Sequence, residues 1–221
     1  MAIISFRHNF IFVKTTKTAG TSIEVELAKR IDDEAIVTPV IPPVEGHTPR
    51  NWQRGFLRTS YYNHMPATRI RAHLGRKRFE DMYRFCVERE PVSKCISHFH
   101  MLKNSPDHRD GSSATLTWEE YCASGKFPVD IEKYAERRDG RWVRMVHDVL
   151  PYEALNETLR SVLAHNGMEP FDLNTKAKAE YSTRRYITKE DVTTDQRERI
   201  YAAFADSIAI GTRTVCCEIR A

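Results

Sequence analysis

The segment at residues 11–22, with the sequence IFVKTTKTAGTS, constrains the fold of this chain more than any other. An apolar stretch runs into small, hydroxyl-bearing residues and Lys17, and a helical pattern follows at once. Small residues let backbone N–H groups point into one concavity, a helix N-terminus adds the positive end of its dipole, and a lysine adds a full charge. The segment therefore predicts a strand, a loop that binds phosphate or sulfate, and a helix. An ordinary strand-to-helix turn with a solvated lysine is the alternative.

The length and charge of the chain favour one domain with a small anionic ligand. Its 221 residues, 41% of them hydrophobic, are enough for one core, so we expect a single domain over residues 1–221. Because the net charge is only +4 and the basic residues are mixed with 30 acidic ones, we expect no nucleic acid as a partner. No apolar stretch reaches the length of a membrane span, and we see no leader before the first strand.

The cysteines argue against a disulfide framework and against a zinc site. There are five, without CxxC spacing, at Cys86, Cys95, Cys122, Cys216 and Cys217. His98 and His100 lie close to Cys95 in sequence, but side chains two residues apart on a helix point apart, so we expect no metal there. A reducing, cytoplasmic location is the resulting expectation.

Strand and helix patterns alternate along the chain. We expect strands at residues 10–13, 83–87 and 146–150, each followed by a helix, at 21–30, 92–101 and 152–166, and further helices at 66–74 and 194–208. Thr193 and Gln196 form a capping-box pattern before the last helix. Strands joined by crossover helices pair in parallel, so the pattern predicts an α/β fold with a central parallel sheet flanked by helices and ligands bound at the carboxyl ends of the strands.

The region at residues 37–65 interrupts this alternation. Several prolines punctuate it, which is typical of a long ordered loop, with room for one short helix. Its aromatic residues lie among basic ones, at Trp52, Phe56, Tyr61 and Tyr62. These side chains form either a wall of a substrate site or a layer packed onto the core, and the sequence leaves both open.

A nucleotide kinase or NTPase is the first candidate for a phosphate-binding loop on such a sheet. The loop does not fit the Walker pattern, however, because Lys17 precedes Gly20 by three residues instead of following the second glycine. No strand clearly ends in an aspartate that could hold magnesium, and Asp148 lies inside a predicted strand. An ATP-dependent P-loop kinase therefore stays only as an alternative.

Two motifs resemble those of a known family. Residues 12–22 resemble the 5′-phosphosulfate loop of sulfotransferases, usually written PKTGGTS or PKTAGTS, and residues 85–99, FCVEREPVSKCISHF, resemble their 3′-phosphate motif, usually RxPxxRxxSxY. The likeness extends to the histidine-bearing segment at residues 63–67 and to the YExL-like segment at residues 150–155. It implies a P-loop-like sulfotransferase fold, and 3′-phosphoadenosine 5′-phosphosulfate (PAPS) as the sulfuryl donor, with no metal required.

The resemblance also implies roles for individual residues. Lys17 would stabilise the charge that grows on the leaving 5′-phosphate while an acceptor hydroxyl attacks sulfur in line. The 5′-phosphate would be held by Lys17, Thr18, Ala19, Gly20, Thr21 and Ser22, at the start of a helix. Arg89 and Ser97 would hold the 3′-phosphate, Ser97 only if the backbone between them bends. An ion pair of Arg89 with a neighbouring glutamate is the alternative. Thr16 replaces the family's proline, and Lys94 replaces its second arginine.

The general base is the least certain assignment. His64 is our choice, because the family's base is often a histidine between the two motifs and a neutral imidazole can accept a hydroxyl proton. His47 and Glu45 are the other candidates, and His64 could instead serve only a capping role. The basic residues before the last helix could also contact the ligand, and the sequence does not choose among Lys176, Lys178, Arg184 and Arg185.

The acceptor is not readable from the sequence. Relatives with these motifs often act on sugars, so we expect a hydroxyl-bearing glycan or small natural product. A non-catalytic module that binds PAPS or its product, adenosine 3′,5′-bisphosphate, is a third alternative beside the transferase and the kinase. The oligomeric state is open.

Overall fold

The computed structural model describes residues 2–54, 59–104, 115–173 and 184–211. Its strands are β1 (Ala2–Ser5), β2 (Phe10–Val13), β3 (Ile36–Val37), β4 (Gln53–Arg54), β5 (Thr59–Ser60), β6 (Tyr83–Glu88), β7 (Ala135–Arg138), β8 (Arg141–Arg144) and β9 (Asp148–Pro151). Its helices are α1 (Gly20–Ala28), α2 (Ala67–Leu74), α3 (Arg76–Asp81), α4 (Pro91–Asn104), α5 (Trp118–Ser124), α6 (Ile131–Tyr134), α7 (Leu155–His165), α8 (Thr194–Ala203) and α9 (Ala205–Ala209). None of these helices is both long and apolar enough to cross a membrane.

The central sheet is mixed rather than purely parallel. Its strand order is β3-β1-β2-β6-β9, and β2, β6 and β9 pair in parallel. The prediction is confirmed for these three strands, although the third begins at Asp148 rather than at residue 146. It is wrong for the other side of the sheet, where β1 runs antiparallel to both β2 and β3. A turn at residues 6–9, with Asn9 at φ 50°, reverses the chain between β1 and β2.

Helices cover both faces of the sheet, and the side chains of each strand alternate between these two faces. Phe10 and Phe12 of β2 point to the face covered by α1 and α7, in one cluster with Ile23 and Leu27 of α1. Ile11 and Val13 point to the opposite face, which α2, α3 and α6 cover. The helices on both faces place the middle of the sheet at the centre of the molecule and leave the carboxyl ends of its parallel strands accessible.

A third apolar cluster joins α4, α5 and α8 beside the sheet. The predicted final helix at residues 194–208 is interrupted within it, since Phe204 is buried in the cluster and lies between α8 and α9 with non-helical backbone angles. The capping box of Thr193 and Gln196 is confirmed, with both reciprocal hydrogen bonds present. A short 3-10 turn (Tyr152–Ala154) precedes α7, so the helix predicted from residue 152 begins slightly later.

The region at residues 37–65 contains short strands and no helix in its described part. Its strands β4 and β5 pair with each other, and Val37 forms a bridge with Arg50. Tyr61 is only 4% exposed and Trp52 packs against the core, whereas Tyr62 is 47% exposed. Phe56 lies outside the described residues. For Trp52 and Tyr61, packing onto the core is therefore the interpretation that holds.

Candidate functional site

A cleft of about 1680 Å³ opens at the carboxyl edge of the parallel strands. Each parallel strand delivers part of its wall. The loop at residues 14–22 follows β2, Arg89 follows β6, and Tyr152 follows β9. One face of α4, the segment before α8 and parts of the long loop before α2 complete the lining. This is where the sequence predicts the ligand site.

The backbone of the loop after β2 has the geometry of an anion site. Lys17 and Ala19 are left-handed, with φ values of 63° and 58°, and Thr18 between them is not. Such alternation turns successive backbone N–H groups toward one point. The N-terminus of α1 follows directly, with no acidic residue in its first turn to offset the dipole. The residues predicted for the 5′-phosphate all line the cleft, namely Lys17, Thr18, Ala19, Gly20, Thr21 and Ser22.

Two threonine hydroxyls hold the loop in place. The Thr15 hydroxyl donates to the carbonyl of Val87 in β6, and its oxygen lies 2.9 Å from that of Thr18. The Thr18 hydroxyl also donates to the carbonyl of Thr15 at 3.2 Å. Both side chains are buried. The hydroxyl of Thr18 is therefore used inside the loop.

Lys14 is a buried structural residue that sequence reasoning missed. Its Nζ lies 2.9 Å from Glu24 Oε2 and donates to the Thr21 hydroxyl oxygen at 2.9 Å. Its aliphatic stem crosses Gly20, where an added Cβ would lie 2.6 Å from Lys14 Cγ. Glycine is thus required at position 20 for a steric reason as well as for an open backbone. The motif in the sequence selects Lys17, but no pattern in it indicates the buried pairing of Lys14.

Arg89 lies at the entrance to α4 and faces the loop of Lys17. Its Nη1 is 3.5 Å from the Lys17 carbonyl, and its guanidinium stacks over the Tyr152 ring at 4.3 Å. Its Nε is buried and has no hydrogen-bond partner among the described residues. No ion pair between Arg89 and its neighbours is present there either, because Glu88 pairs with Lys94 and Glu90 with Lys189. The alternative interpretation of Arg89 as half of a surface ion pair is therefore not supported.

One face of α4 lines the cleft beside Arg89. Ser93, Ser97 and His100 follow each other at spacings of four and three residues, which brings their side chains to one side of the helix. Since the helix begins at Pro91, Arg89 lies before its first turn. The chain changes from strand to helix between Glu88 and Pro91, and Arg89 and Ser97 both line the cleft.

Lys94 does not take the place of the family's second arginine in the cleft. Its side chain is fully buried, and its Nζ lies 2.7 Å from Glu88 Oε2 and 2.8 Å from Asp130 Oδ2. These two carboxylates raise the pKa of Lys94 although burial opposes them. The charge of Lys94 is therefore balanced inside the protein and does not line the cleft.

His64 lines the cleft on the side of the loop after β2. Its Nδ1 lies 3.3 Å from the carbonyl oxygen of Lys14, a contact that fits a proton on Nδ1 and leaves Nε2 with its lone pair. Burial, and then the charges of the N-terminus, Lys14 and Lys133, lower the pKa of His64 to about 2. A pKa this low keeps the imidazole neutral near pH 7 and makes it a weak base.

The other two candidates for the base lie away from the cleft. Neither His47 nor Glu45 is among its lining residues. Burial, with help from the charges of Lys14 and Arg50, lowers the pKa of His47 to about 4, and its Nε2 is enclosed. Among the three candidates, only His64 faces the site.

The basic residues before the last helix differ in position. Arg185 lines the cleft, whereas Arg184 is exposed and lies over the Tyr186 ring at 5.0 Å. Lys176 and Lys178 lie outside the described residues. His100 fixes this segment, because its Nε2 accepts hydrogen bonds from the backbone N–H groups of Tyr186 and Ile187, at 3.1 and 3.3 Å. No sequence signal pointed to this role of His100.

No cluster of histidine, cysteine and carboxylate side chains suited to a metal occurs in the part of the chain that the structure describes. His98 contacts the Tyr121 hydroxyl, while His100 contacts the segment before α8, so the two histidines serve different neighbours. Cys86, Cys95 and Cys122 are buried thiols.

No protein family, no curated protein and no solved structure was found to match this chain. What the cleft binds therefore has to be inferred from its own residues.

Proposed function

We propose that this protein transfers a sulfuryl group from PAPS to an acceptor hydroxyl. One observation carries the proposal: two turns with a basic residue each follow the neighbouring parallel strands β2 and β6 and line one cleft, with Lys17 in the first and Arg89 in the second. A ligand with an anionic group at each of two separate positions fits this arrangement. PAPS is such a ligand, since it carries a 5′-phosphosulfate and a 3′-phosphate.

The loop after β2 supports the reacting end of the donor. The acceptor oxygen attacks sulfur, the bond between sulfur and the 5′-phosphate oxygen breaks, and the electron pair stays on that oxygen. Lys17 and the backbone N–H groups at the start of α1 meet the charge that develops there. Because these groups are held before the reaction, they stabilise the transition state without reorganising.

Arg89 and Ser97 support recognition of the 3′-phosphate, which ATP lacks. The buried Nε of Arg89 has no partner among the described residues, and a phosphate oxygen would supply one. Tyr152 holds the guanidinium plane from behind through its ring. This pair of residues favours a bisphosphate nucleotide over a triphosphate.

His64 is the proposed proton acceptor. Burial and neighbouring positive charges lower its pKa, and the negative charges of a bound donor would act in the opposite direction and raise it. The proton of the acceptor hydroxyl would pass to Nε2, since Nδ1 is engaged with the Lys14 carbonyl. Ile41, Pro42 and Asn63 line the cleft as well and suit a hydroxyl-bearing sugar or small natural product with one apolar face.

Isothermal titration calorimetry with adenosine 3′,5′-bisphosphate and with ATP tests the donor assignment. We expect the bisphosphate to bind more tightly, and Arg89→Ala to weaken its binding about 10- to 100-fold. Arg76→Ala is the matched control, because Arg76 is 81% exposed, pairs with Glu80 on α3 and does not line the cleft. Tight ATP binding with no response to the bisphosphate would instead indicate the kinase.

PAPS consumption with a panel of acceptors tests whether the site is catalytic. We expect turnover in the wild type and its loss in His64→Ala. Binding of both PAPS and the bisphosphate without any consumption would favour the non-catalytic module.

A further inference from the structure

A buried cluster of four charges lies behind the loop after β2. Lys94 bridges Glu88 and Asp130 at 2.7 and 2.8 Å, and Lys133 forms a second ion pair with Asp130. Asp130 is 3% exposed and Lys94 is fully buried. Two carboxylates and two ammonium groups balance each other, so the cluster adds no net charge to the neighbouring cleft.

Asp130 makes two further hydrogen bonds, both with Thr16. The backbone N–H of Thr16 donates to Asp130 Oδ2 at 2.6 Å, and its hydroxyl lies 3.0 Å from Oδ1. Lys133 Nζ donates to the same hydroxyl at 3.0 Å. Asp130 does not line the cleft, and it comes from the start of α6, which is 114 residues away in sequence. Its contacts therefore act on the loop from outside the site.

Thr16 is the residue directly before Lys17, whose left-handed backbone needs support. A non-glycine residue in that region is strained and persists only where its surroundings enforce it. Hydrogen bonds hold Thr15 to β6 and Thr16 to Asp130, so the position of the backbone just before Lys17 is fixed. Beyond Lys17, α1 fixes the chain again.

We propose that Asp130 is a positioning residue for Lys17: it fastens Thr16 and thereby sets the direction in which the Lys17 side chain enters the cleft. The proposal rests on the proposed function for its catalytic consequence, while the fastening itself can be measured without turnover. Although burial opposes ionisation, the charges of Lys94 and Lys133 hold the pKa of Asp130 down to about 2, so the carboxylate keeps its charge-assisted bonds across the working pH range.

Steady-state kinetics of Asp130→Asn tests the catalytic consequence. We expect kcat to fall about 10- to 100-fold, because a displaced catalytic group costs about this much. The KM for PAPS should change little, since Arg89, Ser97 and the start of α1 still bind the nucleotide. A merely structural role would lower only the fraction of active protein, so kcat is calculated per binding site, with the sites counted by titration with adenosine 3′,5′-bisphosphate; an unchanged kcat per site would show that role.

Thr16→Val and Thr16→Ser keep the test decisive if Asp130→Asn fails to fold. Valine removes the hydroxyl bond and leaves the buried ion pairs intact, whereas serine keeps both donors. We expect kcat to fall in Thr16→Val and to keep the wild-type value in Thr16→Ser. Where Asp130→Asn folds, the double variant Thr16→Val with Asp130→Asn should lose no more kcat than Asp130→Asn alone. Equal kcat in the valine and serine variants would overturn the proposal.

Amide hydrogen exchange at Thr16 and Lys17, followed by NMR, separates this proposal from the proposed function. We expect exchange at both positions to be about tenfold faster or more in Asp130→Asn than in the wild type. If the wild type consumes no PAPS but this difference is present, the proposed function fails and the fastening stands. If the wild type turns over and Asp130→Asn matches it in both kcat and exchange, the positioning role is wrong.

Discussion

Lys14 and Lys17 lie three residues apart in one loop, yet their surroundings are opposite. Lys14 is buried, its ammonium lies between Glu24 and Thr21, and its stem covers Gly20. Lys17 has a left-handed backbone and lines the cleft that Arg89 also lines. Both lysines line the cleft, but the ammonium of Lys14 is paired inside the protein and supports the loop, whereas Lys17 is the residue proposed to act on a ligand. The difference shows that residue type and spacing identify such a loop, whereas long-range contacts divide the roles within it.

The largest expected effect is on stability, from Lys14→Ala. The substitution leaves the fully buried carboxylate of Glu24 without this cation, which typically costs about 3–5 kcal/mol in the free energy of unfolding. Urea unfolding measures the loss. Lys29→Ala is the matched control, because Lys29 pairs with Glu26 on the same helix but is 45% exposed, and such surface pairs contribute about 1 kcal/mol or less. Equal stability of the two variants would contradict the structural role of Lys14.

In contrast to Lys14→Ala, Lys17→Ala should lower turnover and leave the stability of the fold almost unchanged. Removing one stabilising group from a developing anion typically lowers kcat about 100- to 1000-fold, which is the loss expected in PAPS turnover. The free energy of unfolding should stay within about 0.5 kcal/mol of the wild type, as for most substitutions of accessible side chains. A variant that keeps its turnover would remove Lys17 from the mechanism.

Gly20→Ala tests whether the aliphatic stem of Lys14 is fixed in place where it crosses Gly20. Alanine normally stabilises a helix relative to glycine, but here its Cβ would lie 2.6 Å from Lys14 Cγ and 2.8 Å from Cε. We expect a net loss of about 1–3 kcal/mol in the free energy of unfolding. Combining Gly20→Ala with Lys14→Ala should cost less than the sum of the two single changes. A stabilising Gly20→Ala would mean that the Lys14 stem moves aside without cost.

The smallest effect concerns His64, which contacts the Lys14 carbonyl. Its folded-state pKa of about 2 lies below the usual 6.5, so the unfolded chain takes up a proton that the folded protein does not. Its contribution to stability is complete above pH 6.5 and is lost as the pH falls toward 2, by about 1 kcal/mol between pH 6.5 and 5.5. His64→Gln should remove this part of the pH dependence in unfolding experiments. NMR signals of the His64 ring that titrate near pH 6.5 would contradict it.

Local patterns predicted the parts of the fold that hold the cleft. The strand at residues 10–13 and its helix, and the strand before Arg89 and its helix, are confirmed because each rests on a regular apolar spacing along a short piece of chain. The position of Ser97 beside Arg89 needed only the start of α4, and Pro91 marks that start in the sequence.

Contacts between distant parts of the chain were not predictable in this way. The strand β1 is a four-residue apolar stretch, and nothing in its composition tells whether it pairs in parallel or antiparallel. Asp130 contacts Thr16, which lies 114 residues away in sequence. Glu24 forms an ion pair with Lys14 because α1 directs the Glu24 side chain into the protein. Periodicity describes which face of an element is apolar, but it does not say which polar side chains meet inside the fold.

The pairing of β2 with β6 sets the distance between the ends of the two strands whose loops line the cleft. Val13 lies opposite Cys86 at the end of this pairing, so Lys17 follows the last paired residue of β2 by four residues and Arg89 follows that of β6 by three. Neighbouring strands are about 4.8 Å apart, and this spacing cannot be altered by changes in either loop. The distance between the points where the two loops leave the sheet is thus set by the rigid middle of the molecule. Loop exchange could change which groups line the cleft, while the distance between the strand ends would stay the same.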